Sequence, residues 1–116
     1  MFWNTLSHLD QLEDIVHLSF EGPVAIFKHS TSCPISGMAK RRIEQAWPDN
    51  ITLFYLDLLS FRNISNTISE KFSVIHESPQ LIVLYSGEVV YHGSHLNINI
   101  SEVESNIQKS TLSELK

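Results

Sequence analysis

Val24-Ala25-Ile26-Phe27-Lys28-His29-Ser30-Thr31-Ser32-Cys33-Pro34-Ile35-Ser36 is the stretch on which the fold turns. Its first four residues form a short, continuous apolar run, the pattern of a strand buried on both faces. Lys28 to Ser32 reads as a polar loop leaving that strand. Pro34 stands where a helix can begin, because a proline at the first helical position gives up only an amide that has no intrahelical acceptor. Ile35, Met38, Ala39, Ile43, Ala46 and Trp47 then recur at helical spacing until Pro48 stops the run. Cys33 is thereby set at the N-cap of a helix that follows a buried strand.

Upstream, Thr5 to His17 carries Leu6, Leu9, Leu12, Ile15 and Val16 as a helical stripe opposite Ser7, Asp10, Gln11, Glu13 and Asp14. Downstream, Ile51 to Leu58 is rich in β-branched and aromatic residues and reads as a second strand. Arg62 to Phe72 is a polar helix with Ile64, Ile68 and Phe72 four apart. Leu81 to Tyr85 is a third strand. Ser86-Gly87-Glu88 is a tight-turn signal, and Val89-Val90-Tyr91 completes an antiparallel hairpin. His92-Gly93-Ser94-His95 reads as an exposed turn. A closing helix runs from Ile100 or Ser101 to Leu115, lined by Val103, Ile107 and Leu112, with Ser101 and Glu104 at capping-box spacing.

The order α, β, α, β, α, β, β, α implies an α/β fold, because a strand-helix-strand unit makes a right-handed parallel crossover. The expectation is a four-stranded mixed β-sheet covered by helices on both faces, as one domain over residues 1–116. A chain of 116 residues suits a single hydrophobic core, and no repeat, linker or low-complexity tract interrupts it.

Composition narrows the function classes. Thirteen acidic residues against eight basic ones give a net charge of −5, which offers no basic excess to neutralise phosphates. Nucleic-acid and anionic-membrane partners are therefore not expected. No apolar run approaches the length that spans a bilayer. Met1-Phe2-Trp3-Asn4 has neither the basic region nor the apolar region of a signal peptide, so the expected location is cytoplasmic. The glycosylation sequons at Asn50, Asn63 and Asn99 then have no role. The single cysteine cannot form an internal disulfide.

Cys33 is the residue with chemistry. At a helix N-terminus, unpaired backbone N–H groups and the positive end of the helix dipole favour the thiolate, which is the nucleophile in disulfide exchange. A loop leaving a buried strand also exposes the sulfur; Lys28 and His29 could add positive potential, but the sequence does not place either of them firmly. The bland alternative is a small buried hydrophobe, the usual state of a free cysteine. Polar neighbours and the following proline weigh against it. The Ser36 hydroxyl has three readings: a cap for the helix, a weak donor to the sulfur, or an ordinary first-turn serine.

The order strand, loop, Cys33-Pro34-Ile35-Ser36, helix, followed by Pro79 opening a β-hairpin, resembles the thioredoxin superfamily. Within it, Phe27 to Ser36 is similar to the monothiol, YtxJ-like bacilliredoxins, whose signature is a Thr-Cys-Pro-Ile-Ser type motif; Ser32 here replaces the threonine. The likeness covers nearly the whole chain. It implies a thioredoxin-like fold and a monothiol thiol-disulfide oxidoreductase. Cys33 would attack the bacillithiol sulfur of a mixed disulfide on an S-thiolated client protein, with bacillithiol as low-molecular-weight co-substrate. The thiolate would be supported by the helix start at Pro34, Ile35 and Ser36. Ser36 stands where a dithiol relative carries its resolving cysteine, so resolution must come from outside. The resemblance also makes Pro79 a cis-proline, with Ser78 offering its backbone to an incoming peptide. Residue chemistry alone favours trans for a proline that opens a strand.

Two other functions compete. One is a catalytically silent thioredoxin-like module that binds a protein partner along the Pro79 edge. The other is a monothiol-glutaredoxin-like iron–sulfur carrier, which needs two borrowed thiols for each pair of subunits. Six histidines invite a metal reading, since His29 and Cys33 are four apart and His92 and His95 three apart. Neither pair shares a helical face, so no metal is expected. No Gly-rich phosphate loop or serine-hydrolase elbow occurs.

Overall fold

The structure, a computed structural model, describes residues 3–114. In chain order its elements are β1 (Asn4–Thr5), α1 (Gln11–Ser19), β2 (Val24–His29), α2 (Pro34–Ala46), β3 (Thr52–Asp57), α3 (Arg62–Phe72), β4 (Gln80–Tyr85), β5 (Glu88–Ser94) and α4 (Ile100–Glu114). A single 3-10 turn, His95–Asn97, joins β5 to the approach of α4.

Among the described residues, five strands lie in the order β1-β3-β2-β4-β5. β2 pairs in parallel with β3 and antiparallel with β4, so the sheet is mixed. Four strands are expected from the sequence. The fifth is Asn4–Thr5, which adds in parallel to the outer edge of β3 and is too short to show a pattern of its own. Its presence also moves the start of α1 from Thr5 to Gln11. Leu6 is then buried outside any helix, whereas Leu9 is exposed.

Alternation along β2 sorts the core into two layers. Val24 and Ile26 face a cluster built from Leu12 and Ile15 of α1 and Ile64 and Ile68 of α3. Ala25 and Phe27 face the other cluster, with Ala39 and Ile43 of α2 and Val103 of α4. All six residues of β2 are buried, as a central strand covered on both faces must be. Lys28 and His29 belong to this strand and not to a loop, because both have ladder partners on β3.

Ser86 and Gly87 both take positive φ, 52° and 79°, and close the β4–β5 hairpin as a two-residue turn. Val90 is the extra residue of a bulge between the Val83–Tyr91 and Leu84–Val89 pairs. Pairing continues to Gln80–Ser94, so His92, Gly93 and Ser94 are strand residues and not an exposed turn. Helix α4 is capped by Asn99, whose Oδ1 accepts the Glu102 N–H at 3.2 Å, and not by Ser101. Ile35, Met38 and Leu112, read as apolar stripe positions, are exposed. Met1, Phe2 and Leu115 lie outside the described residues.

Candidate active site

The turn into α2 is closed by the Cys33 N–H, which donates to Ser30 O at 3.2 Å. Cys33 is the N-cap, in extended conformation at φ −105° and ψ 118°, with Pro34 starting the helix. Its carbonyl accepts the Gly37 N–H at 3.2 Å, the opening bond of the helix. The thiol makes no capping hydrogen bond and is partly exposed, so the sulfur is free to meet another molecule. Ile35 projects outward at 41% exposure, on the rim beside it.

Ser36 is fully buried, and its hydroxyl is engaged away from the sulfur. Its Oγ accepts the Ser30 N–H at 3.0 Å and lies 2.6 Å from His29 Nδ1. With one lone pair taken by the amide, Oγ keeps a second lone pair and its one proton, so it either donates to Nδ1 of a ring protonated on Nε2 or accepts from Nδ1–H. Burial, followed by the Lys40 charge, holds His29 below the ordinary histidine range, against the opposing pull of Asp57, of the Ser36 backbone and of Glu44. The ring is packed between Phe27 and Tyr55, at centroid distances of 5.8 and 5.5 Å. Ser36 thus fastens the loop to the first turn of α2, in place of the cap or sulfur contact read from the sequence.

The second half of the site comes from the chain entering β4. Lys28 pairs with Gln80 across the sheet, which sets Pro79 beside the end of β2, at the same end of the sheet as Cys33. The Ser78–Pro79 peptide bond is cis. Pro79 is buried, and its carbonyl accepts the His95 N–H at 2.9 Å. Ser78 is half-buried, and its Oγ is enclosed without a hydrogen-bond partner among the described residues. Ile75, just upstream, is 86% exposed.

Gln80 and His76, which shape this segment, escaped the sequence reading, and Lys28 is taken there for a residue of the polar loop. Gln80 is buried, and its amide donates to Ile75 O at 3.0 Å while its Oε1 accepts the Glu77 N–H at 3.4 Å, which ties the segment across the proline. Lys28 is buried as well, and its Nζ lies 3.3 Å from His76 Nδ1. The available signal was phase: Lys28 continues the alternation of Val24 and Ile26, so on a strand it must face the same core.

The matching family model is Monothiol bacilliredoxin BrxC, aligned over residues 4–103. The chain belongs to the monothiol bacilliredoxin family. Among solved structures, it is similar to an oxidoreductase with a thioredoxin fold, at 31% identity and a TM-score of 0.79, over 90% of this chain and 92% of the other. Thioredoxin from Trypanosoma brucei brucei superimposes with a TM-score of 0.70 at 13% identity, covering 95% and 91%. Malassezia sympodialis thioredoxin gives 0.66 at 15% identity, covering 93% and 90%. The last two speak to the fold alone. Family and fold together give this bacilliredoxin a thiol redox function, with one cysteine to carry it.

Among the described residues, no three His, Cys, Asp or Glu side chains come together to hold a metal ion. No helix there is long and apolar enough to cross a membrane.

Proposed function

We propose that this bacilliredoxin removes bacillithiol from protein mixed disulfides in the cytoplasm, with Cys33 as the catalytic nucleophile and residues 1–116 acting as one domain. The observation that carries the reading is the pairing of a lone, partly exposed cysteine at a helix N-cap with the Ser78–Pro79 segment at the same sheet end. The Cys33 thiolate attacks the bacillithiol sulfur of the client disulfide. A Cys33–bacillithiol disulfide forms, the client–bacillithiol bond breaks, and the client leaves as a thiolate that takes up a proton. A second bacillithiol thiolate then attacks the bound bacillithiol sulfur, releasing bacillithiol disulfide and Cys33. Exchange of this kind needs no metal and proceeds through mixed disulfides alone.

Pro34, which has no N–H of its own, fixes the start of the helix, and the Ile35 and Ser36 N–H groups, without intrahelical acceptors, support the sulfur at the N-cap. Ser36 has no thiol with which to resolve the adduct, so an external thiol does so. The Ser78 backbone pairs with the client chain, and buried Pro79 keeps that stretch from adding its own ladder bond. The test follows loss of the bacillithiol adduct from an S-bacillithiolated peptide by mass spectrometry, in excess bacillithiol. Wild type is expected to release the peptide thiol, and Cys33→Ser is expected to be inert. Equal release by both would overturn the assignment.

A further inference from the structure

Lys28 is a fully buried cation at the end of a central strand, and no carboxylate pairs with it among the described residues. Its Nζ lies 3.3 Å from each of three acceptors: Ser65 O and Ser69 Oγ on α3, and His76 Nδ1 on the segment that leads to Pro79. An ammonium has three N–H donors and no acceptor, so the three partners saturate it. Burial lowers the Lys28 pKa to about 8, which leaves it protonated at neutral pH. His76 can accept from it only as a neutral ring. Although His76 is exposed, its Nδ1 also lies 3.3 Å from Ser65 Oγ.

We propose that Lys28 and His76 form an interior latch that holds residues 74–79 where Ser78 can pair with a client, making both of them positioning residues for exchange at Cys33. The inference rests on the reading of Ser78–Pro79 as the client-binding edge. Elsewhere the segment is held by Val74 N–H to Ser69 O at 3.1 Å, by Gln80, and by the His95 amide on Pro79. The latch adds a side-chain hydrogen bond to β2, the strand that feeds the Cys33 loop, beside the apolar cluster that Val74 shares with Val24 and Ile26. Around His76, burial, Lys28 and Arg62 all oppose a proton, and only Glu77 favours one. In acid, a second cation facing Lys28 therefore opens the contact.

Lys28→Met keeps the length of the side chain and leaves its partners satisfied, since Ser69 Oγ donates to Ser65 O and Ser65 Oγ meets His76. His76→Leu removes the acceptor at an exposed position, and His76→Asn retains one without a titrating ring. Three measurements are made on each variant: amide hydrogen exchange over residues 74–80, Cys33 alkylation by iodoacetamide, and KM for an S-bacillithiolated peptide. Lys28→Met and His76→Leu are expected to speed amide exchange there about tenfold. They should raise KM about fivefold, with alkylation within about twofold of wild type because it needs only the sulfur. His76→Asn should match wild type at neutral pH and keep its low KM as pH falls below the ordinary histidine range, where wild type loses it. Unchanged amide exchange in Lys28→Met and His76→Leu overturns the latch whether or not wild type transfers bacillithiol. Loosened amides with unchanged KM overturn its positioning role. Wild type that fails to transfer bacillithiol sinks the proposed function instead, and the amide data still decide the latch.

Discussion

Ser36 Oγ lies 2.6 Å from His29 Nδ1 and takes the Ser30 N–H at 3.0 Å, so one buried hydroxyl joins the end of β2, the reactive loop and the first turn of α2. Removing it leaves an amide and a ring nitrogen buried without partners. Ser36→Ala is expected to cost about 1–3 kcal/mol, the usual penalty for an unsatisfied buried group. Urea denaturation checks this, and a loss well below that range would mean that water replaces the hydroxyl.

Neutral histidines at positions 29 and 76 give stability a definite slope in mild acid. Both folded pKa values lie below the ordinary histidine value, chiefly through burial. Such groups contribute stability above about pH 6.5, and it is lost as pH falls through their folded values. Glu13 and Glu44, held low by Lys71 and by Trp3 with Lys40, stay ionised in that window and do not add to the slope. The urea midpoint should therefore fall between about pH 7 and pH 5, and a His29→Asn, His76→Asn double variant should flatten the fall.

Lys28 predicts the opposite end of the pH scale. Its folded pKa of about 8 against an unfolded value of 10.5 means that the cost of burying the charge is present below pH 8 and disappears above it. Stability should rise with pH from about 8 to 10, and Lys28→Met should abolish that rise. Thermal unfolding in a Cys33→Ser background isolates the lysine from thiol ionisation. A flat profile in that background would contradict a buried ammonium.

Gln80 closes the 75–80 segment with both ends of its amide. Gln80→Leu keeps the buried volume but orphans Ile75 O and Glu77 N–H. The expected result is faster amide exchange at residues 75–78 and a several-fold weaker client interaction, with Cys33 alkylation unchanged. Slower alkylation would show that Gln80 acts on the sulfur as well.

What the sequence made legible were the elements with strong punctuation. Pro34 marked the start of α2, and Arg62 to Phe72 was readable as α3 from the four-residue spacing of Ile64, Ile68 and Phe72. The Ser86–Gly87 hairpin declared itself through its turn chemistry. Asn4–Thr5 was hidden because a two-residue edge strand has no periodicity, and its neighbours Leu6 and Leu9 mimic a helical stripe. Lys28 was hidden for a different reason. A lysine is read as the end of a buried run, and only tertiary structure supplies the three acceptors that let it stay inside. Ser36 was singled out from its place in the motif, but its partners lie six and seven residues back, on a strand end that local reading had made a loop.

The proposed function requires Cys33 to act as a nucleophile on bacillithiol disulfides. The most direct measurement is the intact mass of the reduced protein after brief mixing with bacillithiol disulfide, and in parallel with glutathione disulfide, with Cys33→Ser as control. A bacillithiol adduct on Cys33 that forms quickly, outpaces the glutathione adduct and is removed by free thiol is the predicted result. Equal and slow labelling by both disulfides, or none, would contradict it.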